Sequence, residues 1–245
     1  MSTSRVLPAV RRTTVGLSLM LGIALAGISV LLQPKFPDDP SEYVESIAGS
    51  ASAHLGLQVF VASQVFWAVG LIGLAHAASR RSPVFGSLAA LFSALGAFGH
   101  AVYGGASLVT FAIAEYAADS GDMDAALAAF SSTQGGAFIP YLACGLLGTI
   151  LGMILLAVAL IRSRIVPLWV PIALIAWTVI EFVLPNFVTG VWVTYTSLVL
   201  GAIAFVGAGV AVLRGGPGAW TTMLEGAPDA DAEPSVVVNG ARETR

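Results

Sequence analysis

Four stretches of this chain contain no Asp, Glu, Lys or Arg: Thr13 to Pro34, Ser46 to Ser79, Ser82 to Ala114 and Ala125 to Ile161. About 20 apolar helical residues cross a bilayer core, so each stretch is long enough to span it once. Residues 165 to 213 hold a single charge, Glu181, and are divided by Pro185-Asn186-Phe187-Val188-Thr189-Gly190. Pro and Gly there favour a tight turn between two further spans. The expected fold is therefore all-α: a polytopic transmembrane bundle of six helices, over roughly 13–32, 55–77, 84–105, 137–161, 167–184 and 191–213. A β-barrel would alternate in polarity along each strand, and these stretches are apolar on every face. Only 10% of residues are charged, against about a quarter in a soluble domain, which leaves too little charge for a surface facing only water.

Lys and Arg resist translocation and so fix orientation. With six spans, Arg5, Arg11, Arg12, Arg80, Arg81, Arg162, Arg164, Arg214, Arg242 and Arg245 fall on one side, and Lys35 alone on the other. Both termini are then cytoplasmic: residues 1–12 form a short N-terminal segment, 13–213 the membrane domain, and 214–245 a tail. That tail is rich in Gly, Pro, Ala, Asp and Glu without apolar periodicity, the composition of a disordered segment. The outer side is acidic, with Asp38, Asp39, Glu42, Glu45, Asp119, Asp122 and Asp124. Ala24-Leu25-Ala26 has the form of a signal cleavage site, but the apolar run continues through Leu32, as in a retained signal anchor. Cys144 is the single cysteine; it excludes an intrachain disulfide and a thiolate-rich metal site, and reads as a buried small hydrophobe.

Both long outer connections carry the marks of short surface helices. In the first, Asp39 is placed to cap, Pro40 follows at the first helical position, and Glu42 sits in the first turn, with Tyr43, Val44 and Ile47 on one face. In the second, Asp122 caps a stripe of Met123, Leu127 and Phe130. Inside the spans small residues recur four apart: Gly22 and Ala26, Ala101 and Gly105, Gly148 and Gly152, Ala204 and Ala208. Such pairs let helices approach closely where lipid supplies no hydrophobic drive, so they are the expected packing faces, chiefly within the chain. Trp67 is expected to be packing rather than a ligand platform.

An ionisable residue inside a span costs a few kcal/mol unless paired or wet, which makes it a functional hypothesis. His100, about 25 Å along the third span, and Glu181, four residues before Pro185, qualify. His54 and Gln58, one turn apart at the outer entrance of the second span, lie at a similar level. These four are the candidate polar vestibule: a site for a proton, cation or polar substrate in one reading, structural hydrogen bonding in the other. Haem ligation is disfavoured because His54 and His100 stand roughly 10 Å apart in depth. Zinc would find suitable ligand types in His54, His100 and Glu181, but no diagnostic spacing. No metal, cofactor or catalytic residue is assigned, since serine-hydrolase elbow, paired intramembrane aspartates and nucleotide loop are all missing.

The inner turns Arg80 to Pro83 and Arg164 to Pro167, the basic N-terminus and the Arg-rich, Lys-poor composition resemble six-helix integral membrane proteins of high-GC bacteria, over Arg11 to Arg214. Those families have no established function, so the resemblance implies a multi-pass protein of the bacterial cytoplasmic membrane and carries over no site. A non-catalytic membrane subunit or accessory protein is the first functional expectation. A small-molecule or ion transporter is the second, and a metal- or haem-dependent enzyme the third. The expected company is the lipid bilayer, a membrane protein partner or a second copy of the chain, and no nucleic acid. The orientation is checked by fusions: a reporter active only in the cytoplasm should work after Arg214, and one active only outside should work within the loop at Gly121. The reverse pattern would overturn it.

Overall fold

The computed structural model describes residues 6–34, 39–133, 136–188 and 190–215. The expected tail, Arg5, Lys35 and Asp38 lie outside the described residues. Eight helices follow in order: α1 (Val6–Leu32), α2 (Pro40–Ile47), α3 (Ala51–Ser79), α4 (Pro83–Ser120), α5 (Met123–Thr133), α6 (Ile139–Ser163), α7 (Trp169–Thr178) and α8 (Val191–Arg214). A π turn at Val179–Val183 and a 3-10 turn at Leu184–Asn186 continue α7. Among the described residues there is no strand. Six helical segments are long and apolar enough to cross a membrane: α1, α3, α4, α6, α8, and α7 with its continuation. Their outward faces carry Leu17, Leu21, Val65, Leu91, Leu147 and Val199, all well exposed. An apolar surface of this extent suits hydrocarbon rather than water.

The six spans close into a ring in which α1 touches α3, α3 touches α4, α4 touches α6, α6 touches α7, α7 touches α8 and α8 returns to α1. A direct contact between α3 and α6 crosses the ring. The Arg12 guanidinium donates to the Gly215 carbonyl, so both ends of the described chain meet at one end of the bundle. Every described arginine lies at this terminal end, and every described Asp and Glu lies toward the opposite, loop end. Arg81 donates to the Ser163 carbonyl at 3.0 Å and ties the α3–α4 turn to the end of α6.

Glycine sets the tightest contact. A Cβ on Gly99 of α4 would fall 2.2 Å from the Gly145 nitrogen of α6, and one on Gly148 would fall 2.5 Å from the Gly96 nitrogen. Gly152 meets the Ser93 nitrogen at 2.8 Å in the same way. Backbone lies on backbone, the closest packing two helices can reach without hydrophobic help. Elsewhere Gly22 makes a notch for the Trp67 indole, and Gly209 approaches the Gly16 carbonyl, joining α8 to α1. Ala204 and Ala208 are buried in the core. Ala101 is half-buried, and Gly105 faces open space where a Cβ meets nothing. The partners of Gly148 and Gly152 on α4 are therefore Gly96 and Ser93. Cys144 is half-buried rather than buried.

The third span departs most from expectation. Instead of ending near Gly105, α4 runs 38 residues to Ser120, about 57 Å at 1.5 Å per residue, nearly twice the hydrocarbon thickness. Each interior Gly at 104 and 105 costs about 1 kcal/mol of helix propensity. Burial of Phe111, Ala114 and Ala117 under α2 and α5 outweighs that, since a large apolar side chain alone contributes about 1.5–3 kcal/mol. Asp39 caps α2 by accepting from the Ser41 N–H at 2.8 Å, and Asp122 accepts from the Ala125 N–H at 3.3 Å at the start of α5. Tyr43, Val44 and Ile47 of α2 are buried in this loop-end cluster, and Met123, Leu127 and Phe130 of α5 pack against it.

Two measurements follow. Gly99→Ala must push α4 from α6, and should cost about 2 kcal/mol or more, a fall of roughly 4–8 °C in the melting temperature in detergent; Gly105→Ala should be neutral or slightly stabilising. Burial, and secondarily Tyr103, pushes the Tyr43 phenol up to about 12. A raised folded value favours the protonated form, so this contribution is complete below pH 10 and is lost as pH climbs toward about 12. The protection of α2 amides, taken relative to the base-catalysed intrinsic exchange rate, should fall across that window in the wild type and stay flat in Tyr43→Phe.

Candidate functional site

The terminal half of the ring is filled. Leu19, Leu71, Leu74, Met153, Leu156 and Leu160 are each no more than 2% exposed and belong to one continuous apolar cluster. Toward the loop end the helices leave a cavity of about 120 Å³ among α1, α3, α4, α8 and the continuation of α7. Its polar walls are Gln64, His100, Glu181 and Ser197, and its aromatic walls Phe60, Trp67, Trp177 and Phe182.

Glu181 is placed by a local fault in α7. Pro185 has no N–H to offer the Glu181 carbonyl four residues back, which loosens the helix there. The segment Val179–Val183 adopts a π turn instead, a form that re-aims side chains and concentrates at functional sites. The Ser197 hydroxyl of α8, itself buried, donates to a Glu181 carboxylate oxygen. Glu181 is exposed as well as part of the wall, so it stands at the opening of the cavity.

The other polar walls are held from within their own helices. His100 Nδ1 lies 2.9 Å from the Gly96 carbonyl and 3.3 Å from the Thr149 hydroxyl of α6. A carbonyl only accepts, so Nδ1 carries the hydrogen, and Nε2 is the nitrogen left to bind a proton or accept a hydrogen bond. Phe60 and Phe182 flank the imidazole at 6.2 and 6.4 Å between ring centroids. The Gln64 amide donates to the Ser63 hydroxyl at 3.1 Å and the Phe60 carbonyl at 3.4 Å, which leaves its own oxygen as an acceptor for an occupant. Trp67 meets Trp177 edge-on at 5.3 Å, and its sealed indole N–H has no acceptor among the described residues.

Of the four residues of the expected vestibule, His100 and Glu181 share this cavity, whereas His54 and Gln58 do not. Gln58 is exposed on α3; six residues at 100° each turn it about 120° away from Gln64, the polar residue that does line the cavity. The His54 ring packs 5.4 Å from Phe111 in the loop-end cluster, and its Nε2 is sealed without a partner among the described residues. Ala26, counted among packing residues, forms part of the wall, as does Trp67. Gln64 and Ser197 carry no charge, so a search of the spans for ionisable groups passes over them. Among the described residues, no three of His, Cys, Asp or Glu converge as a metal site requires. No protein-family model, curated protein or solved structure matches this chain.

Proposed function

We propose that this chain is a bacterial cytoplasmic membrane protein that binds a proton or a small monovalent cation in its cavity and passes it toward or from the outer side. The observation that carries this reading is the convergence of Glu181, Ser197, His100 and Gln64, from four helices, on one hollow inside the ring. Size narrows the occupant. Ligand pockets for larger molecules run to about 300–1,000 Å³, while 120 Å³ holds a few waters or one small ion. Charge narrows it further, because one carboxylate balances a single positive charge, and divalent ions take six or more oxygen ligands, usually with several carboxylates. Aromatic faces around the space add attraction for a cation.

In this reading Glu181 at the opening is the first acceptor, with the Ser197 hydroxyl orienting its carboxylate. His100 Nε2 and the Gln64 oxygen offer the next positions inward. The filled terminal half then acts as the barrier that an alternating movement of helices would open. An accessory subunit without its own chemistry would have no use for a polar hollow, yet it is the reading that remains if the cavity carries nothing.

The test is flux into proteoliposomes with a trapped pH dye under an imposed potential, repeated with Na⁺, K⁺ and ammonium gradients. Wild-type protein should raise one of these fluxes well above empty liposomes, and Glu181→Gln should lower it at least tenfold with unchanged helicity and elution profile. Ser197→Ala should shift its pH dependence. Fluxes equal to empty liposomes for every ion, or an undiminished flux in Glu181→Gln, would overturn the reading.

A further inference from the structure

A groove of about 760 Å³, larger than the polar cavity, lies on the outside of the ring, between α1, α3 and α4 at the terminal end. Its lining changes character with depth. Near the end of the bundle it presents Arg11 and Thr14 of α1, His76 and Ser79 of α3, and Ser87 of α4. Further along it presents Val15, Ala68, Val69, Ile72 and Ala90. From Ser79 to Ala68 the helix rises about 16 Å, the depth of roughly one leaflet of hydrocarbon. A polar stretch followed by an apolar one over the depth of one leaflet matches the headgroup and acyl levels of a phospholipid.

Charge selects among phospholipids. Arg12 is engaged by the Gly215 carbonyl, Arg81 by the Ser163 carbonyl, and Arg162 lies over the Phe85 ring at 5.4 Å. Arg11 is exposed on the groove and makes no hydrogen bond or ion pair among the described residues. No described carboxylate lies at this end to neutralise it. Val69 and Ile72 are exposed within the groove, at the depth where an acyl chain can lie against them.

We infer that this groove is a binding site for one anionic phospholipid, with the phosphate at Arg11 and His76 and an acyl chain along Val69 and Ile72. The site is distinct from the polar cavity, with which it shares no lining residue. Basic pockets between membrane helices hold acidic headgroups by the same combination of charge and apolar fit.

Native mass spectrometry of the purified protein, titrated with phosphatidylglycerol and with phosphatidylcholine of identical chains, tests this. The wild type should hold one phosphatidylglycerol at concentrations where phosphatidylcholine is absent. Arg11→Gln should reduce that preference about fivefold, the weight of one basic residue near an acidic headgroup, and Arg11→Lys should keep it. Ala68→Phe, which fills the groove, should weaken both lipids; the melting temperature of each variant reports its folding separately. Equal affinity for the two lipids, an unchanged preference in Arg11→Gln, or full binding by Ala68→Phe would overturn the inference. So would a co-purifying polypeptide that Ala68→Phe displaces while phosphatidylglycerol binding persists.

Discussion

Lipid tails are as apolar as the helices they surround, so nothing like the hydrophobic effect drives one helix onto another inside a bilayer. What holds this bundle is close approach, and its firmest instance is α4 against α6, where Gly96 and Gly99 lie on Gly148 and Gly145, with no room for a Cβ at Gly96, Gly99 or Gly148. That contact draws α6 inward far enough to touch α3 across the ring, and this closes the terminal half around Leu71, Leu74, Met153 and Leu156. The other helices use the same device, Gly22 against the Trp67 side chain and Gly16 against Gly209.

The cavity exists because that economy of side chains is not continued to the loop end. There the ring is lined by Phe60, Trp67, Trp177 and Phe182; Trp177 meets Trp67 and Phe182 edge-on, and space remains between the rings. Into that space the π turn after Thr178 brings Glu181, and α8 brings Ser197 to hold it. A charged group so placed is costly in hydrocarbon, and the hydroxyl partner, the opening and the neighbouring polar walls reduce that cost. The two halves of one bundle are thus built on different terms, backbone contact below and aromatic framing above.

Much of this was legible in the chain. Uncharged stretches marked the spans, because a desolvated charge is expensive at any register, and Asp39-Pro40 and Asp122 marked the two surface helices through capping chemistry. The end of α4 was not legible, since Gly104-Gly105 looks like a stop and only the tertiary burial of Phe111 and Ala114 overrides it. Nor were the partners of Gly148 and Gly152, because spacing identifies a face but not what it meets. His100 and Glu181 stood out by ionisability; Gln64 and Ser197 did not, and His54 and Gln58 were misplaced because depth along a helix carries no information about azimuth.

The two ends also differ in charge, with the described arginines at the terminal end and the described carboxylates toward the other. In the proposed reading the filled half alone separates water from water, so the boundary between cavity and filled core along α3 is the feature on which that reading depends. It is tested most directly by cysteine accessibility in a Cys144→Ala background, using a small charged thiol reagent on protein in liposomes. Gln64→Cys should react, and Leu71→Cys and Leu74→Cys should stay unmodified under the same conditions. Equal reactivity at all three positions, or protection of position 64 alone, would contradict a wet loop-end cavity above a dry core.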